Sequence, residues 1–580
     1  MMAAHDDATL RRPLRIWPGV VAGLLLLLVR FGVPVVAPGF EGFRVAIFGG
    51  FLGILAVLVW WVFFSRAPHS RRWGVIGSTL IVLAATWRAN HESMGLVWLL
   101  FYALPLVSLA GVAWAVASRR LSAATRRVTW VATLVLVCGV WTLVRMDGLT
   151  GDHAFQFAWR WTETDEERLL AQAGDGPAAA TPPAPSIPPN PLPAAAAERG
   201  ASWPGFRGPG RDGVVPGVCI EADWSASPPV ELWRRTVGPG WSSFAVEGAL
   251  LYTQEQRGDE EVVACYRLGD GEQVWMHRDP ARFFESMGGV GPRATPTVHD
   301  GQLYTLGATG ILNAFDAADG SLLWSRNVAA DTESRVPIWG FSSSPLVLDD
   351  LLIVAAAGAL GGYELAGGEP RWFGPDGGHS YSSPHLTTLA GVPQILLLSH
   401  AGLASVVPLD GRLLWEHSWP GVSLVQPALT AGGGVLLSAG EGKGVRRIDV
   451  VREGGEWTVA ERWTSNRLKP NFNDFVVHRG HAYGFDGRML ACMDVEDGER
   501  RWKGGRYGHG QLVLLAEQAL LLVLSEQGEL ALVEADPGGF TELARFPAIQ
   551  GKTWNHPVLV GQVLLVRNGQ EMAAFRLAIC

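Results

Sequence analysis

Polar side chains recur at eight short segments between residues 240 and 557, each just before an apolar stretch. They include a carboxylate, a guanidinium, amides, hydroxyls, an imidazole and an indole, groups that can bind ligands or move protons. The candidates are Ser243, Arg293, Ser343, Ser382, Gln426, Asn473, Asp474, His509, Trp554 and Asn555. The alternative interpretation is that these residues are solvated loop ends or the lining of a polar channel.

Other types of site have no recognisable spacing in this sequence. There is no Ser-His-Asp order, phosphate-binding loop or paired-carboxylate motif. Neither a CxxC pair nor a Cys/His zinc spacing occurs, so no metal site is predicted. His509 and His556 are single histidines in separate segments, and we expect them to be loop residues rather than metal ligands.

A tryptophan recurs about every 45 residues and indicates a structural repeat, whose strands would position the polar segments. In most copies it follows an Asp-Gly or Gly-Gly turn, a pair that favours a tight β-hairpin. The period is that of a four-stranded propeller blade. We expect each large ring to wedge between its blade and the next, a structural docking role. The series consists of Trp233, Trp275, Trp324, Trp372, Trp415, Trp463, Trp502 and, in the last place, Phe546.

The count of first hairpins predicts an all-β propeller with eight blades, and seven is the alternative. The chain ends in a strand of the third type, MAAFRLA at 572–578, with no fourth strand after it. VELWRRTV at 230–237 is a strand of the fourth type with no third strand before it. We therefore expect these two strands to pair and close the ring. In such a ring the polar candidates face the central funnel, where propellers bind ligands.

An α-helical membrane domain of about five transmembrane helices is predicted before the propeller. The apolar runs are 16–36, 45–64, 73–87, 94–117 and 128–144, of which the third is short for a span. Arg-rich and Arg-poor loops alternate only if all five runs span, which predicts a cytoplasmic N-terminus and a propeller outside the cytoplasm. Arg30 lies within the first run, and we expect it to snorkel toward the outer interface.

Charge and composition divide the chain into three parts. Residues 1–147 hold 14 Arg and 5 acidic residues, whereas the whole chain has 47 basic and 55 acidic residues. The acidic remainder excludes nucleic acid as a partner, because phosphates require a basic surface. The predicted domains are 1–147, the membrane helices; 148–202, a juxtamembrane segment with a short helix near 165–173 and an Ala/Pro-rich linker; and 203–580, the propeller.

The five cysteines are scattered through the chain. We expect most of them to be small buried apolar residues. A Cys219–Cys580 disulfide is the alternative for that pair, should the two ends of the propeller meet.

The repeat resembles that of the pyrroloquinoline-quinone (PQQ)-like β-propeller family, over nearly all of residues 203–577. WPGFRGPGRDGV (203–214), GPRATPTVHDGQLYTLGATG (291–310), FNDFVVHRGHAYGFDG (472–487) and LSEQGELALVEA (524–535) are similar to motifs of its bacterial members. The family includes BamB-type envelope lipoproteins, which bind other proteins, and quinoprotein dehydrogenases, which carry PQQ with Ca²⁺.

The resemblance implies two functions. The first is a non-catalytic binding or scaffold module anchored in the bacterial inner membrane, facing the periplasm, with the lipid bilayer and envelope proteins as partners. The second is a PQQ-dependent sugar or alcohol dehydrogenase that passes electrons to membrane quinone. In that case Asp474 would be the catalytic base, with a cofactor site formed by Arg293, Ser343, Gln426, Asn473, Trp554 and Asn555. The compact blades and incomplete calcium ligands favour the first function, and the membrane anchor favours the second.

Overall fold

The computed structural model describes residues 14–37, 40–172, 202–440 and 442–580. It divides into two compact units, Met1–Thr162 and Glu163–Cys580. Of the predicted juxtamembrane segment and linker, 148–202, residues 173–201 lie outside the described residues. The flanking helix forms at Asp165–Gln172, as predicted, and belongs to the second unit.

The first unit is helical because its apolar runs are long and uninterrupted. Among the described residues, four helices are long and apolar enough to cross a membrane: Trp17–Val36, Gly42–Phe64, Leu99–Arg120 and Ala123–Leu143. The remaining predicted span corresponds to the helix His69–Ala89, which has 21 residues and is less apolar. A hairpin of Val144–Leu149 and Phe155–Trp159 ends the unit.

Arg30, which we expect to snorkel toward the outer interface, binds a carbonyl near the start of the apolar helix Leu99–Arg120. Its side chain is buried, and Nε and Nη2 donate to the carbonyl of Phe101 at 3.1 and 2.8 Å. The Phe101 carbonyl accepts hydrogen bonds from two nitrogens of the buried guanidinium. Phe101 is 71 residues from Arg30, so no local signal in the sequence indicated this contact.

The second unit is an eight-bladed β-propeller; each blade has four antiparallel strands, which are consecutive in sequence in blades 1 to 7, whereas blade 8 takes its fourth strand from the start of the propeller. In blades 1 to 4 the strands are Ala245–Glu247, Leu250–Arg257, Glu260–Arg267 and Gln273–Asp279; Thr297–His299, Gln302–Leu306, Ile311–Asp316 and Leu322–Asn327; Leu346–Leu348, Leu351–Ala356, Ala359–Glu364 and Pro370–Phe373; His385–Leu389, Val392–Ser399, Gly402–Val406 and Leu413–Ser418. In blades 5 to 8 they are Ala428–Leu429, Gly434–Leu437, Val445–Glu453 and Glu456–Ser465; Val476–His478, His481–Asp486, Met489–Asp494 and Arg500–Gly504; Gln511–Leu515, Leu520–Leu524, Glu529–Glu534 and Glu542–Pro547; Val558–Val560, Val563–Arg567, Glu571–Arg576 and Val230–Thr236.

The ring closes in blade 8 as the sequence predicts. Glu571–Arg576 pairs antiparallel with Val230–Thr236, with Ala574 opposite Trp233. Next to this closure a disulfide joins Cys219 to Cys580, so the alternative interpretation of that pair is correct. Cys138, Cys265 and Cys492 are free and buried, as expected.

Residues 202–215 form a segment that we call the axial strap. Ser202–Trp203 adds a strand to the inner edge of blade 1, and Val214–Val215 adds a parallel strand to the inner edge of blade 7. Between these ends Arg211 donates to two carbonyls of blade 3, and Arg207 donates to a carbonyl of blade 6. The strap therefore connects the inner strands of blades on opposite sides of the axis.

The repeated tryptophans lie between blades. The indole N–H donates to a carbonyl of the following blade at Trp233, Trp275, Trp324, Trp463 and Trp502. The turn glycine makes room for the ring: Gly320 has φ +74°, and a Cβ there would lie 2.5 Å from the ring of Trp275. Trp372 packs against Gly411 in the same way, Trp415 donates to Gln394 of its own blade, and Phe546 packs on Phe575 at 5.1 Å.

Candidate functional site

An arc of hydrogen bonds links six of the eight blades around the propeller axis, just before their first strands. In each of five successive blades a side-chain oxygen accepts the backbone N–H of the equivalent residue in the preceding blade. The bonds run from Ser243 N to Thr295 Oγ1 (3.0 Å), Thr295 N to Ser344 Oγ (3.0 Å), Ser344 N to Ser383 Oγ (2.9 Å), Ser383 N to Gln426 Oε1 (3.2 Å) and Gln426 N to Asp474 Oδ1 (2.7 Å). We call this set the girdle.

The girdle holds the inner ends of blades 1 to 6 together. Each neutral bond contributes about 1 kcal/mol, and the bond to the Asp474 carboxylate contributes more because it is charge-assisted. Ser243 Oγ also donates to the carbonyl of His556 at 2.7 Å, which joins blade 1 to blade 8. Of the residues predicted to face the axis, Ser243, Gln426 and Asp474 are therefore members of an inter-blade network.

Asp474 is buried and lies at the last position of the girdle. Its Oδ2 is 3.6 Å from Arg207 Nε of the strap and 3.4 Å from His556 Nε2. Burial alone would raise the pKa of Asp474, but Arg207 and His556 outweigh it and hold the pKa below its ordinary value. Since a general base works best with a pKa near the working pH, this carboxylate is a weak candidate base.

The other predicted cofactor ligands lie at separate places. Ser343 Oγ accepts the N–H of Ala355 in its own blade at 2.9 Å. Asn555 Nδ2 donates to the carbonyl of Ser242 at 2.6 Å, and Asn473 Oδ1 accepts the N–H of Asn471 at 3.0 Å. All three side chains are buried, with exposed fractions of 1–2% for the whole residues.

An aromatic layer lies in the segments that lead into the first strands, with Trp241 and Phe472 two residues before Ser243 and Asp474 of the girdle. Trp554 packs on Trp241 and on Phe472, with ring centroids 4.7 Å apart in both pairs. The ammonium of Lys552 lies 4.5 Å from the Trp554 centroid and 5.4 Å from that of Trp241. These four side chains are half-buried, and we call them the aromatic mouth.

Hydrogen bonds fix the rings of the mouth. The indole N–H of Trp554 donates to Glu526 at 3.0 Å, and that of Trp241 donates to the carbonyl of Gly288 at 2.7 Å. Rigid aromatic faces with a cation nearby form a platform for a planar or apolar group.

Arg293 lies close to this platform, but its donors are occupied. Its guanidinium donates to the carbonyls of Gly289 and Gly291 and lies 3.4 Å from Glu285. Burial lowers the pKa of Arg293 to about 10, partly offset by the Glu285 carboxylate. The residue braces the hairpin Phe284–Glu285 and Gly289–Val290 beside the mouth.

PQQ with Ca²⁺ is the cofactor that the resemblance implies, and the residues do not fit it. Arg293, the predicted partner of its carboxylates, already donates to carbonyls. A calcium ion at Asp474 would face the guanidinium of Arg207. Within the described parts of the chain, no three His, Cys, Asp or Glu side chains come together as a metal site.

Sequence reasoning missed the girdle, the strap arginines and the mouth residues Trp241, Phe472 and Lys552. The girdle had a signal: in blades 2 to 5 its member comes directly before a proline, and Asp474 comes directly before Phe475. Repetition of that polar-proline pair at one position of each blade would have indicated a structural ring.

Comparison with known proteins supports the repeat family. Residues 230–382 match the family described as outer membrane protein assembly factor BamB. No protein among the curated ones matches the sequence.

Solved structures with similar folds include two types of propeller. BamB from Moraxella catarrhalis has 13% identity and a TM-score of 0.44, covering 60% of this chain and 99% of its own. Quinohemoprotein alcohol dehydrogenase ADHIIG from Pseudomonas putida HK5 has 14% identity and a TM-score of 0.49, covering 68% and 83%. The family match covers residues 230–382, the first three blades, and supports the resemblance of this repeat to that of PQQ-like β-propellers.

Proposed function

We propose that this chain is a membrane-anchored, periplasm-facing binding or scaffold module of the bacterial cell envelope. The observation that carries the proposal is that the polar residues around the axis are engaged in holding blades and strap together. Asp474 binds Gln426, Arg207 and His556, and Arg293 braces a hairpin. The aromatic mouth is left as the preformed surface for a partner, which would be an envelope protein or cell-wall material.

Anchoring in the inner membrane is supported by the apolar helices of the first unit. With His69–Ala89 as a fifth span, the Arg-rich loops fall on one side, which would be the cytoplasm. The Cys219–Cys580 disulfide supports a periplasmic propeller, because disulfides persist in oxidising compartments and are rare in the cytosol.

The second candidate is a PQQ-dependent sugar or alcohol dehydrogenase that reduces membrane quinone. The mouth favours it to a limited extent, because Trp554 and Lys552 would suit a planar anion. Purified full-length protein can be mixed with PQQ and Ca²⁺, and cofactor absorption and dye reduction measured with sugars and alcohols. We expect neither signal; both together would refute the binding-module proposal.

The binding function has its own test in cells. A photo-crosslinking amino acid replaces Lys552 in the mouth, and in a matched control it replaces Leu409, which is 71% exposed on the outer part of a blade. We expect a discrete crosslinked product from position 552 and none from position 409. Equal labelling at both positions, or none at position 552, would contradict a partner at the mouth.

We also propose that the tryptophan series keeps neighbouring blades in register. Its support is the indole hydrogen bonds to the following blade, together with the burial of rings such as Trp233 and Trp275. In this role the series carries fold stability and no chemistry.

A further inference from the structure

Two tryptophans at the end of the first unit form an exposed, stacked pair. Trp159 ends the strand Phe155–Trp159, and its carbonyl accepts the N–H of Thr162 at 3.0 Å, which closes a four-residue turn. The turn brings the rings of Trp159 and Trp161 together, with centroids 5.1 Å apart and planes at 9°. Trp159 is 50% exposed and Trp161 is 67% exposed. Contiguous exposed apolar surface marks an interaction site more often than single exposed residues do.

Hydrogen bonds hold this pair at the level where two helices end. The N–H of Arg160, between the two tryptophans, donates to the carbonyl of Leu143 at 2.9 Å. The guanidinium of Arg160 donates to the carbonyl of Ala89 at 3.2 Å. Leu143 and Ala89 are the last residues of the helices Ala123–Leu143 and His69–Ala89, both of which are predicted spans. The tryptophan pair therefore lies at one end of the helical unit.

The exposed face of Ala123–Leu143 leads directly to the pair. One side of this helix packs inside the helical unit through the buried residues Trp130, Leu134 and Cys138. The opposite side carries exposed apolar side chains, mostly three or four residues apart: Val128, Val131, Val135, Leu136, Val140 and Leu143. Trp159 pairs with Val144, the next residue along the chain. The tryptophans thus continue the face that lipid covers in the proposed membrane anchor.

We propose that Trp159 and Trp161 bind lipid in the headgroup region of the membrane and set the depth of the helical unit. Indole rings favour this region, because their apolar faces enter the bilayer while their N–H groups stay near water. Continuity with the exposed helix face favours lipid over a protein partner. The inference rests on the proposed membrane anchoring and adds the surface that fixes its level. Since the first unit ends at Thr162, that surface also sets where the chain leaves the membrane.

The test uses full-length protein in lipid nanodiscs with a thiol-reactive fluorophore at one position. Trp161→Cys reports the pair, Leu136→Cys reports the interior of the span at a residue that is 75% exposed, and Leu409→Cys reports a blade. Wild-type protein treated in the same way gives the background from its native cysteines. The nanodiscs carry a nitroxide either on the lipid headgroup or near the end of an acyl chain. We expect the headgroup nitroxide to quench the label at position 161 roughly twofold more than the chain-end nitroxide does, because half of a hydrocarbon core about 30 Å thick separates the probes.

The two other positions make the outcomes distinguishable. The label at position 136 should be quenched more by the chain-end nitroxide, and the label at position 409 by neither. Quenching at 161 as weak as at 409, with 136 still quenched, would overturn this inference and leave the anchoring proposal standing. Stronger quenching of 161 by the chain-end nitroxide would also overturn it. Absence of quenching at 136 would refute the anchoring proposal, and this inference with it.

A second measurement needs no variant. Wild-type protein in phosphatidylglycerol vesicles is irradiated with a lipid that carries a diazirine beside its headgroup, and tryptic peptides are analysed by mass spectrometry. Trypsin cleaves after Arg160, so the two tryptophans fall on separate peptides. We expect lipid adducts on both, at Trp159 and Trp161. Adducts on the helices without any at this pair would overturn the proposal.

Discussion

Replacing Asp474 distinguishes a structural carboxylate from a catalytic one. Asp474→Asn keeps an oxygen for the N–H of Gln426 but removes the charge that faces Arg207. At 3.6 Å and an effective dielectric constant of about 20, the lost attraction is about 4–5 kcal/mol. Breaking a buried ion pair by removing one partner costs about 3–5 kcal/mol, which agrees with this figure.

The expected change is large enough to measure by thermal melting. Unfolding entropy is about 2.1 cal/mol/K per residue, so a propeller of about 380 residues changes its melting temperature by roughly 1.2 °C for each kcal/mol. Asp474→Asn should therefore lower the apparent melting temperature by about 4–6 °C. Asp474→Ala should lower it further, because the N–H of Gln426 would lose its acceptor, a loss of about 1.5–3 kcal/mol.

The assay is the thermal melt of full-length protein in detergent, followed by tryptophan fluorescence at a fixed scan rate. Asp410→Asn is the matched control, because Asp410 has a side chain that is 55% exposed and pairs with the exposed Arg412. Its change should stay below about 0.5 kcal/mol. If Asp474→Asn melts within a degree of wild type, the carboxylate does not stabilise the ring, and the case against a catalytic Asp474 fails.

Three further predictions concern the disulfide, the tryptophan series and the pH dependence of Asp474. Cys580→Ser should lower the free energy of unfolding by at most about 6 kcal/mol, which is the chain-entropy value for a disulfide that joins residues 361 positions apart. Dithiothreitol should not change the melting temperature of this variant further. Trp275→Ala should cost about 3–5 kcal/mol by denaturant unfolding, whereas Trp275→Phe should lose mainly the bond to Ala317, about 1 kcal/mol. Folding lowers the pKa of Asp474. The stability that this carboxylate contributes is therefore fully present above its unfolded pKa of about 3.9 and is lost as the pH falls through the folded pKa. The difference in melting temperature between wild type and Asp474→Asn should shrink below about pH 4.

The propeller could be predicted from sequence because its signals are local and repeated. In most blades a turn glycine and a tryptophan a few residues later mark the outer hairpin. The glycine leaves room at the tight turn for the large ring that packs on it. The closure of the ring was predictable for a different reason. The repeat begins with a fourth-type strand and ends with a third-type strand, so pairing these two is the one way to complete a blade. Pairing of Glu571–Arg576 with Val230–Thr236 confirms that argument.

The candidate site could be predicted only in part, because the roles of its residues depend on contacts between positions that are far apart in sequence. Arg207 donates to the carbonyl of Phe475, 268 residues away, and its pairing with Asp474 has no local signature. Read alone, Asp474 is a polar residue at a strand start, equally suited to a base, a calcium ligand or a channel lining. The strap motif WPGFRGPGRDGV was recognisable as a family feature, but its two arginines gave no indication of their partners.

The order of layers along the axis limits where chemistry or binding can occur. The aromatic mouth comes first along the segments that lead into the first strands, the girdle follows two residues after Trp241 and Phe472, and the strap arginines contact carbonyls at or just after the girdle. A ligand that entered at the mouth would meet the girdle, including Asp474, before it reached the strap arginines. Variation in the mouth residues can therefore change the surface offered to the proposed partner without breaking a girdle bond, whereas a change in a girdle residue breaks a bond between neighbouring blades. For this reason function is best sought at Trp241, Phe472, Lys552 and Trp554, and the deeper polar residues are best tested as determinants of stability.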